Sequence, residues 1–334
     1  TKTFIYYNSL SPYQINSIAI LKSGVSLSES EYNSIRENYK LSIWWDNTLS
    51  EYGELKGNRN SSKSDWSAVD SDAAALIARM TGGVPSAPLS ALIDKTFKDL
   101  KNYDIYPYLL QFTKANIHNE TDAKLNWIGN TFPIVPVGTP TFTAKKGWLC
   151  VTNKYLKSGF IPRTQITAGT IGESNCGFLI DKIESQGLTG TYSLHGAFAT
   201  AAQGGSAKRF QLETYNTIDK KSISVLNDSG TGGFDKNDDV AAANGIFYAE
   251  RGDLNHCIGY YNGIKSSQYN VISSSPLCDQ ELFYGAIHLG NDTAGYYSKD
   301  YIATIVICKY LGEYKALALS NIIKYFNDNV GSTF

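Results

Sequence analysis

Acidic residues are the side chains of this sequence best suited to catalysis. Two carboxylates held either about 5 Å or about 6.5–9.5 Å apart can hydrolyse a glycosidic bond. The candidate pairs are Asp181 with Glu184 in DKIE and Glu250 with Asp253 in ERGD. Neither pair has the alternate spacing that aims two side chains of one strand into one cleft. We therefore expect solvated acids, and a glycan hydrolase that uses Glu250 or Asp181 is the alternative.

Serine and histidine chemistry has little support. The nearest approach to a G-x-S-x-G nucleophile elbow runs from Gly172 to Cys176 and lacks the second glycine. The histidines form neither an H-x-H nor an H-E-x-x-H array, so folding alone would have to assemble a zinc site. We therefore predict that the protein is not an enzyme, with the hydrolase as the runner-up.

One acidic segment could hold a metal ion. Asp235, Asn237 and Asp239 alternate like the first ligands of an EF-hand calcium loop. The sixth and twelfth positions of that loop are Val240 and Ile246 here, where glycine and a bidentate glutamate are required. An EF-hand is excluded, and the alternatives are a looser calcium site or a plain solvated turn. The sequence indicates no other cofactor.

Tyrosines beside polar loop residues are the candidates for ligand binding. Sugar rings have apolar faces rimmed by hydroxyls, so lectin-type sites pair aromatic rings with Asn, Asp or backbone groups. The segments GNDTAGYYSKD and YYNG contain these residue types, although Asn-Gly is also an ordinary hairpin turn. The candidate ligand-binding residues are Asn291, Asp292, Tyr296, Tyr297, Tyr260, Tyr261 and Asn262.

Composition excludes several classes of partner. The net charge of -1 and the charged fraction of 18% argue against nucleic acid and anionic membranes as partners. No apolar run approaches the roughly 20 residues that cross a bilayer, and the first residues lack a signal-peptide pattern. The five cysteines are an odd number without a C-x-x-C pair, which predicts synthesis in a reducing compartment without a disulfide framework.

Helical periodicity marks the first hundred residues. A capping box at Ser28 and Glu31 opens an amphipathic pattern. We predict helices over residues 28–40, from Asp70 and from Ser86, with short strands at 4–7 and 41–45. We accordingly place a mainly helical domain at residues 1–103.

In residues 104–334 apolar residues recur with a period near two, and turn residues occur about every ten positions. In RFQLETY, Phe210 and Leu212 should face the core while Gln211 and Glu213 face water. Many short strands without intervening helices predict a mainly β fold, an antiparallel sandwich or jelly roll. A short helix around Leu319 should close the chain.

Four segments of this second region occur in a recognisable order: IYPYLLQFTKAN, AKLNWIGNTF, TPTFTAKKGW and KYLKSGFIP. They resemble a recurring C-terminal domain of tailed-phage tail and fibre proteins, similar to concanavalin A-like lectin sandwiches. The match covers roughly Asp104 to Gly331, and Val151-Thr152-Asn153 replaces the family's Gly-Asp-Gly after the hairpin. The matching residues are Tyr106-Pro107, Asn126-Trp127, Pro140 to Ala144, Gly147-Trp148, Tyr155-Leu156, Gly159-Phe160 and Pro162.

The resemblance implies a structural protein of a phage virion, on the head or the tail, made in the bacterial cytoplasm. The sandwich would bind a host surface polysaccharide or glycoprotein, or a neighbouring virion protein. The N-terminal domain would attach to the particle or form a homo-oligomer. A purely architectural component is a further alternative. The stretch 138–162 lacks acids and histidines, so we interpret it as scaffold and expect the binding surface in loops elsewhere.

Overall fold

The computed structural model describes most of the chain from residue 69 onwards, together with four backbone strands nearer the N-terminus. The described ranges are 2–6, 19–20, 41–46, 51–56, 69–167, 169, 171–172, 175–185, 192–199, 208–216, 223–228, 244–253, 255–270, 278–290 and 292–333. Contacts divide the chain into two compact units, Thr1–Val69 and Asp70–Phe334.

The first unit contains a four-stranded antiparallel sheet in the order β2-β1-β3-β4. Its strands are β1 (Lys2–Tyr6), β2 (Ala19–Ile20), β3 (Leu41–Asp46) and β4 (Glu51–Lys56). The strands predicted near residues 4–7 and 41–45 are thus confirmed. The helix predicted over 28–40 lies outside the described residues.

The division at Val69 differs from the boundary placed at residue 103, because the two helices after residue 70 belong to the second unit. These helices begin where predicted. The Asp70 carboxylate accepts hydrogen bonds from the N–H groups of Asp72 and Ala73, and the Ser86 hydroxyl accepts from the Leu89 N–H. Both are N-caps that satisfy helical donors lacking a partner within the helix.

The C-terminal helix, Glu313–Val330, is hydrogen-bonded to the main sheet through Asn327, which contacts Lys114 and Asp181. The C-terminal helix contributes Phe326 to a ring cluster around the buried Trp127, with centroids 5.5 Å apart. Phe97 stacks on the same indole at 6.1 Å. None of the helices in the described part of the chain is long and apolar enough to cross a membrane. The helices are Ser71–Arg79, Ala87–Asn102, Pro162–Thr167 and the C-terminal helix, Glu313–Val330.

Short strands make up most of the rest of the second unit. They are β5 (Leu109–Lys114), β6 (Val135–Val137), β7 (Thr141–Thr143), β8 (Gly147–Leu149), β9 (Tyr155–Lys157), β10 (Cys176–Ser185), β11 (Tyr192–Ala199), β12 (Lys208–Asn216), β13 (Ile223–Asp228), β14 (Gly245–Arg251), β15 (His256–Tyr261), β16 (Ile264–Asn270), β17 (Phe283–Tyr284), β18 (Ile287–His288), β19 (Ala294–Gly295) and β20 (Asp300–Cys308).

These strands form three sheets. The main sheet has the order β16-β15-β14-β10-β20-β8-β7, and β5 also pairs with β20. The second sheet has the order β13-β12-β11-β18-β19, with one parallel pair between β11 and β18. The third, three-stranded sheet has the order β17-β9-β6. The predicted fold, a mainly β antiparallel sandwich closed by a helix, is confirmed.

The sandwich core lies between the main sheet and the other two. Phe178 on β10 has its ring centroid 5.9 Å from that of Phe210 on β12 and 5.9 Å from that of Tyr284 on β17. The prediction for β12 was partly wrong. Phe210 is buried as expected, but Gln211 and Glu213 are only 5% and 3% exposed, so the face expected to be wet is covered.

Residues of the phage-like segments hold the scaffold together. The Asn126 side chain accepts from the Phe112 N–H at 3.0 Å and donates to the carbonyls of Leu110 and Thr131 at 2.9 Å each. A Cβ at Gly147 would collide with the carbonyl oxygen of Ile302 on β20. These positions are needed by the backbone, as expected of scaffold.

Candidate functional site

The Glu250 carboxylate is buried beneath the start of the C-terminal helix and is fully hydrogen-bonded. It accepts from the hydroxyls of Tyr248 at 2.8 Å and Tyr260 at 2.6 Å. It also accepts from the N–H groups of Leu311 at 2.9 Å and Gly312 at 3.1 Å. Burial raises the pKa of Glu250, and these four donors act in the opposite direction. The carboxylate caps the helix from the sheet, because Gly312 has no capping side chain.

The Asp181 carboxylate lies on the same face, near the other end of that helix. Its Oδ2 accepts from Thr304 Oγ1 at 2.8 Å and from Asn327 Nδ2 at 2.9 Å. Lys114 Nζ donates to the same two residues, at 2.6 Å to Thr304 and 2.7 Å to Asn327. Burial lowers the pKa of Lys114 to about 7, and burial raises that of Asp181. This network ties the helix to strands β5, β10 and β20.

Neither predicted pair of acids converges on a cleft. Asp181 is 2% exposed and Glu250 is 0% exposed, whereas Glu184 pairs with Lys146 at 2.6 Å on the surface. Asp253 is exposed and contacts His256. The expectation of solvated acids was therefore wrong for Asp181 and Glu250, because the helix and neighbouring side chains cover them. The same burial removes both as accessible hydrolase acids.

A third set of charged groups lies inside the sandwich. Lys182 Nζ is 3.1 Å from Asp300 Oδ2, and both side chains are 0% exposed. His195 Nδ1 accepts from the Gly285 N–H at 2.9 Å. Burial lowers the pKa of His195 to about 3, so the imidazole is neutral at pH 7. Removing either member of the Lys182–Asp300 pair would leave an uncompensated buried charge, so both side chains are needed by the fold.

The YYNG segment forms a structural hairpin. Tyr260 is 2% exposed and is held by Glu250, which leaves its ring no surface for a ligand. The Tyr261 hydroxyl donates to the Asn244 carbonyl at 2.8 Å. Asn262 has a φ of 51°, and its Oδ1 accepts from the Ile246 N–H at 2.9 Å. These three side chains shape the turn, and the prediction that Tyr260 contacts a ligand was wrong.

The outer face of the three-stranded sheet is aromatic. Pairing opposes Lys157 to Val135 on one side and to Phe283 on the other, so these side chains share a face, and Tyr155 lies two residues from Lys157. Leu156 between them is buried in the sandwich core. We call the set Val135, Tyr155, Lys157 and Phe283 the outer face. Its rings are covered, with Tyr155 8% and Phe283 0% exposed, whereas Val135 is 52% exposed.

The rings of this region form a continuous stack. The Tyr155 and Phe283 centroids lie 4.6 Å apart, and the His288 ring lies parallel to Phe283 at 4.1 Å. Tyr297 adds a fourth ring, whose centroid lies 6.4 Å from that of Tyr155. Lys157 Nζ lies 5.4 Å from the Phe283 centroid, within cation–π range.

The segment 292–299, which we call the tyrosine loop, contacts this stack through Tyr297. Asp292 and Tyr296 have φ angles of 54° and 52°, a left-handed conformation that is uncommon for residues other than glycine. Tyr296 is 54% exposed, whereas Tyr297 is partly buried and its hydroxyl donates to the Ala294 carbonyl. A bulky, exposed ring on a disfavoured backbone conformation marks this loop as a candidate functional surface.

An ion pair links the outer face to the tyrosine loop. Lys157 Nζ lies 3.1 Å from Asp292 Oδ1, with side-chain exposures of 27% and 79%. The hydrogen bond from Lys157 lowers the pKa of Asp292, and the same bond raises that of Lys157. Both groups are therefore charged at pH 7, and both reach solvent.

Several predicted residues lie outside the described part of the chain. Asn291 is one, and the candidate calcium ligands Asp235, Asn237 and Asp239 are the others. The described side chains contain no cluster of three or more His, Cys, Asp or Glu that could hold a metal ion. Calcium thus stays a prediction.

Sequence reasoning missed the contribution of β9 and β17. The stretch 138–162 was interpreted as scaffold. Tyr155 is buried, as that interpretation expects, whereas Lys157 is partly exposed. Strict alternation of Tyr155, Leu156 and Lys157 in a strand could have shown that two of them share a face. Their apposition to Phe283 depends on long-range strand pairing, which spacing alone does not reveal.

The chain matches no protein-family model and no curated protein sequence. Among solved structures, a Trypanosoma rangeli sialidase mutant with trans-sialidase activity is 12% identical with a TM-score of 0.47, covering 85% of this chain and 42% of its own. The botulinum neurotoxin serotype D binding domain is 10% identical with a TM-score of 0.46, covering 65% and 52%.

Domain 4 of an extracellular arabinanase from Geobacillus stearothermophilus, in complex with arabinotriose, is 12% identical with a TM-score of 0.38. It covers 64% of this chain and 98% of its own. The chain spans about two fifths of the length of the sialidase chains it matches, 39% and 42%. Similarity at this level carries no information on function.

Proposed function

We propose that the second unit is a glycan-binding module of a phage virion protein, and that the tyrosine loop and the exposed side chains of the outer face, Val135 and Lys157, form its contact surface. The observation that supports this most is Tyr296, an exposed ring on a left-handed backbone in the same loop as Asp292, which pairs with Lys157. An aromatic ring can pack on the apolar face of a sugar while a charged pair binds its hydroxyls.

The virion part of the proposal is supported by the phage-like segments between residues 104 and 331. In this proposal the first unit attaches the module to the particle or joins copies into a homo-oligomer. The ligand is a host surface polysaccharide or glycoprotein, and other virion proteins are the partners of the first unit. Nucleic acid and membrane insertion have no part in it, because the chain is nearly neutral in charge.

A glycan hydrolase is the runner-up, and a purely architectural virion component is the third reading. A hydrolase would have to use acids other than Asp181 and Glu250, since both are buried and hydrogen-bonded. A purely architectural component would not need an exposed ring for sugar binding, so it does not explain the exposed Tyr296 on its left-handed backbone.

The test is binding of the purified chain to bacterial cells and to isolated surface polysaccharides. Retention without new reducing ends supports a binding module, whereas release of oligosaccharides supports the hydrolase. Retention should fall about tenfold in Tyr296→Ala, because a ring contact contributes about 1 kcal/mol beyond burial.

The matched control is Tyr325→Ala, which removes another exposed tyrosine, 45% exposed, from the C-terminal helix. Retention should be unchanged in this variant. Equal loss in both variants, or no retention of the wild-type protein on any polysaccharide, would overturn the proposal.

A further inference from the structure

The charges around the ring stack nearly cancel. The charged groups that act on the His288 ring are Asp292, Glu281 and Lys157. Burial lowers the pKa of His288, so its ring is neutral at pH 7 and cannot serve as a second cation. The charged side chains that act on His288 are therefore one cation, Lys157, and two anions, and the tyrosine loop adds a second cation, Lys299.

Lys157 is also already engaged. Its ammonium contacts Asp292 at 3.1 Å and lies over Phe283. An acidic sugar would have to displace Asp292 while remaining close to Glu281, which accepts from the Gly159 N–H at 2.6 Å and stays beside the site. Two fixed carboxylates would repel a third at short range.

The exposed pair instead suits hydroxyl groups. An ionised carboxylate only accepts hydrogen bonds and an ammonium only donates them. A pair of adjacent sugar hydroxyls can donate to Asp292 and accept from Lys157 while the ring packs against tyrosine. Because the pair is solvent-exposed, opening it slightly for a ligand sacrifices little stability.

We propose that the tyrosine loop selects uncharged glycans, with Asp292 accepting from one sugar hydroxyl and Lys157 donating to its neighbour. This inference rests on the proposed function and specifies its ligand class: neutral hexose-rich polysaccharide and not polysaccharide built on uronic or other acidic sugars.

The experiment measures binding of the full chain to two sets of oligosaccharides, one neutral and one containing uronic acid, by titration calorimetry. The variants are Asp292→Asn, Lys157→Met and Tyr297→Ala. Glu184→Gln and Lys146→Met are matched controls, because they break another surface pair, in which Lys146 is 42% and Glu184 38% exposed.

We expect the wild-type protein to bind a neutral set at least tenfold more tightly than the acidic set. Asp292→Asn and Lys157→Met should each weaken that binding about tenfold, since each removes a hydrogen bond to a charged group. The controls should bind as the wild type does.

Binding of the acidic set by the wild-type protein as tightly as the neutral set would overturn the inference. Tighter binding of acidic glycans in Asp292→Asn would support it, because it would show that the Asp292 carboxylate repels acidic sugars. Loss of neutral-glycan binding in Tyr297→Ala alone, with Asp292→Asn unchanged, would keep the glycan-binding function and reject the role of the pair. Absence of binding to either set would reject both.

Discussion

The acids beneath the C-terminal helix and the residues of the tyrosine loop satisfy their polar groups in opposite ways. Glu250 has four protein donors within 3.1 Å and no exposed surface. Asp292 has one surface partner and a side chain that is 79% exposed. The oxygens of Glu250 are occupied by donors of the protein itself, whereas the exposed oxygens of Asp292 can accept a hydrogen bond from a ligand.

The comparison teaches that residue type alone is a poor guide to function in this chain. Carboxylates are the side chains with the most catalytic potential, yet the two strongest candidates hold a helix to a sheet. The tyrosine loop has less chemistry by type, but its backbone is held in a disfavoured conformation. Disfavoured conformations persist only where the surrounding structure imposes them.

The largest expected effect is on Glu250. Glu250→Ala leaves two tyrosine hydroxyls and the N–H groups of Leu311 and Gly312 without an acceptor, which should lower the free energy of unfolding by about 3 kcal/mol. Denaturant titration checks this, and Glu250→Gln should lose less because it keeps one acceptor oxygen. A loss below about 1 kcal/mol in Glu250→Ala would contradict the structural role.

The next effect is a pH dependence at Lys114. Its folded-state pKa of about 7 lies below the ordinary value of 10.5, so between these values the unfolded chain binds more protons at this site. The destabilising contribution of Lys114 therefore fades as pH rises from about 7 towards 10.

Lys114→Met removes this proton linkage. The stability of the wild-type protein relative to Lys114→Met should rise across that pH window, as measured by denaturant titration at several pH values. The control is Lys324→Met, an exposed position on the C-terminal helix, for which the difference should stay constant. A constant difference for Lys114→Met would show that the ammonium is not buried.

A smaller effect of opposite sign is expected at Tyr296. Tyr296→Asn places a residue that tolerates the left-handed conformation, so the free energy of unfolding should rise by less than about 1 kcal/mol while glycan retention falls. Thermal unfolding and the polysaccharide assay measure the two quantities. A loss of stability would mean that the ring is needed by the fold, and the contrast with Glu250 would disappear.

The smallest effect on stability is expected for the surface pair. Lys157→Met and Asp292→Asn should leave the unfolding midpoint unchanged, because exposed ion pairs contribute little. Their predicted effect is on binding alone. A clear shift of the unfolding midpoint in either variant would mean that the Lys157–Asp292 pair stabilises the fold.

Much of the fold could be predicted because local signals agree with it. Asp70 and Ser86 cap their helices as expected, and alternation along residues 104–334 identified a sandwich. The prediction of a solvent-exposed face on β12 was wrong. Alternation tells which residues share a face but not whether another layer covers that face. The same limit explains the wrong expectation for Asp181 and Glu250.

The candidate site was predicted only in part. Asp292, Tyr296 and Tyr297 were found from residue type, because their loop combines aromatic and polar side chains. The Tyr260 ring is buried and its hydroxyl donates to Glu250. The residue types of the YYNG segment do not show this contact. Lys157 and Phe283 were missed because β9 and β17 meet only after the chain has folded.

Strand β20 follows in the chain all three strands with which it pairs, β5, β8 and β10. During synthesis β5, β8 and β10 therefore cannot pair with β20 until residues 300–308 have left the ribosome. Such late, long-range pairing slows folding and exposes strand edges in the meantime. A chain cut short before Asp300 would lack the strand that unites the main sheet, and we expect it to aggregate rather than form a smaller sandwich.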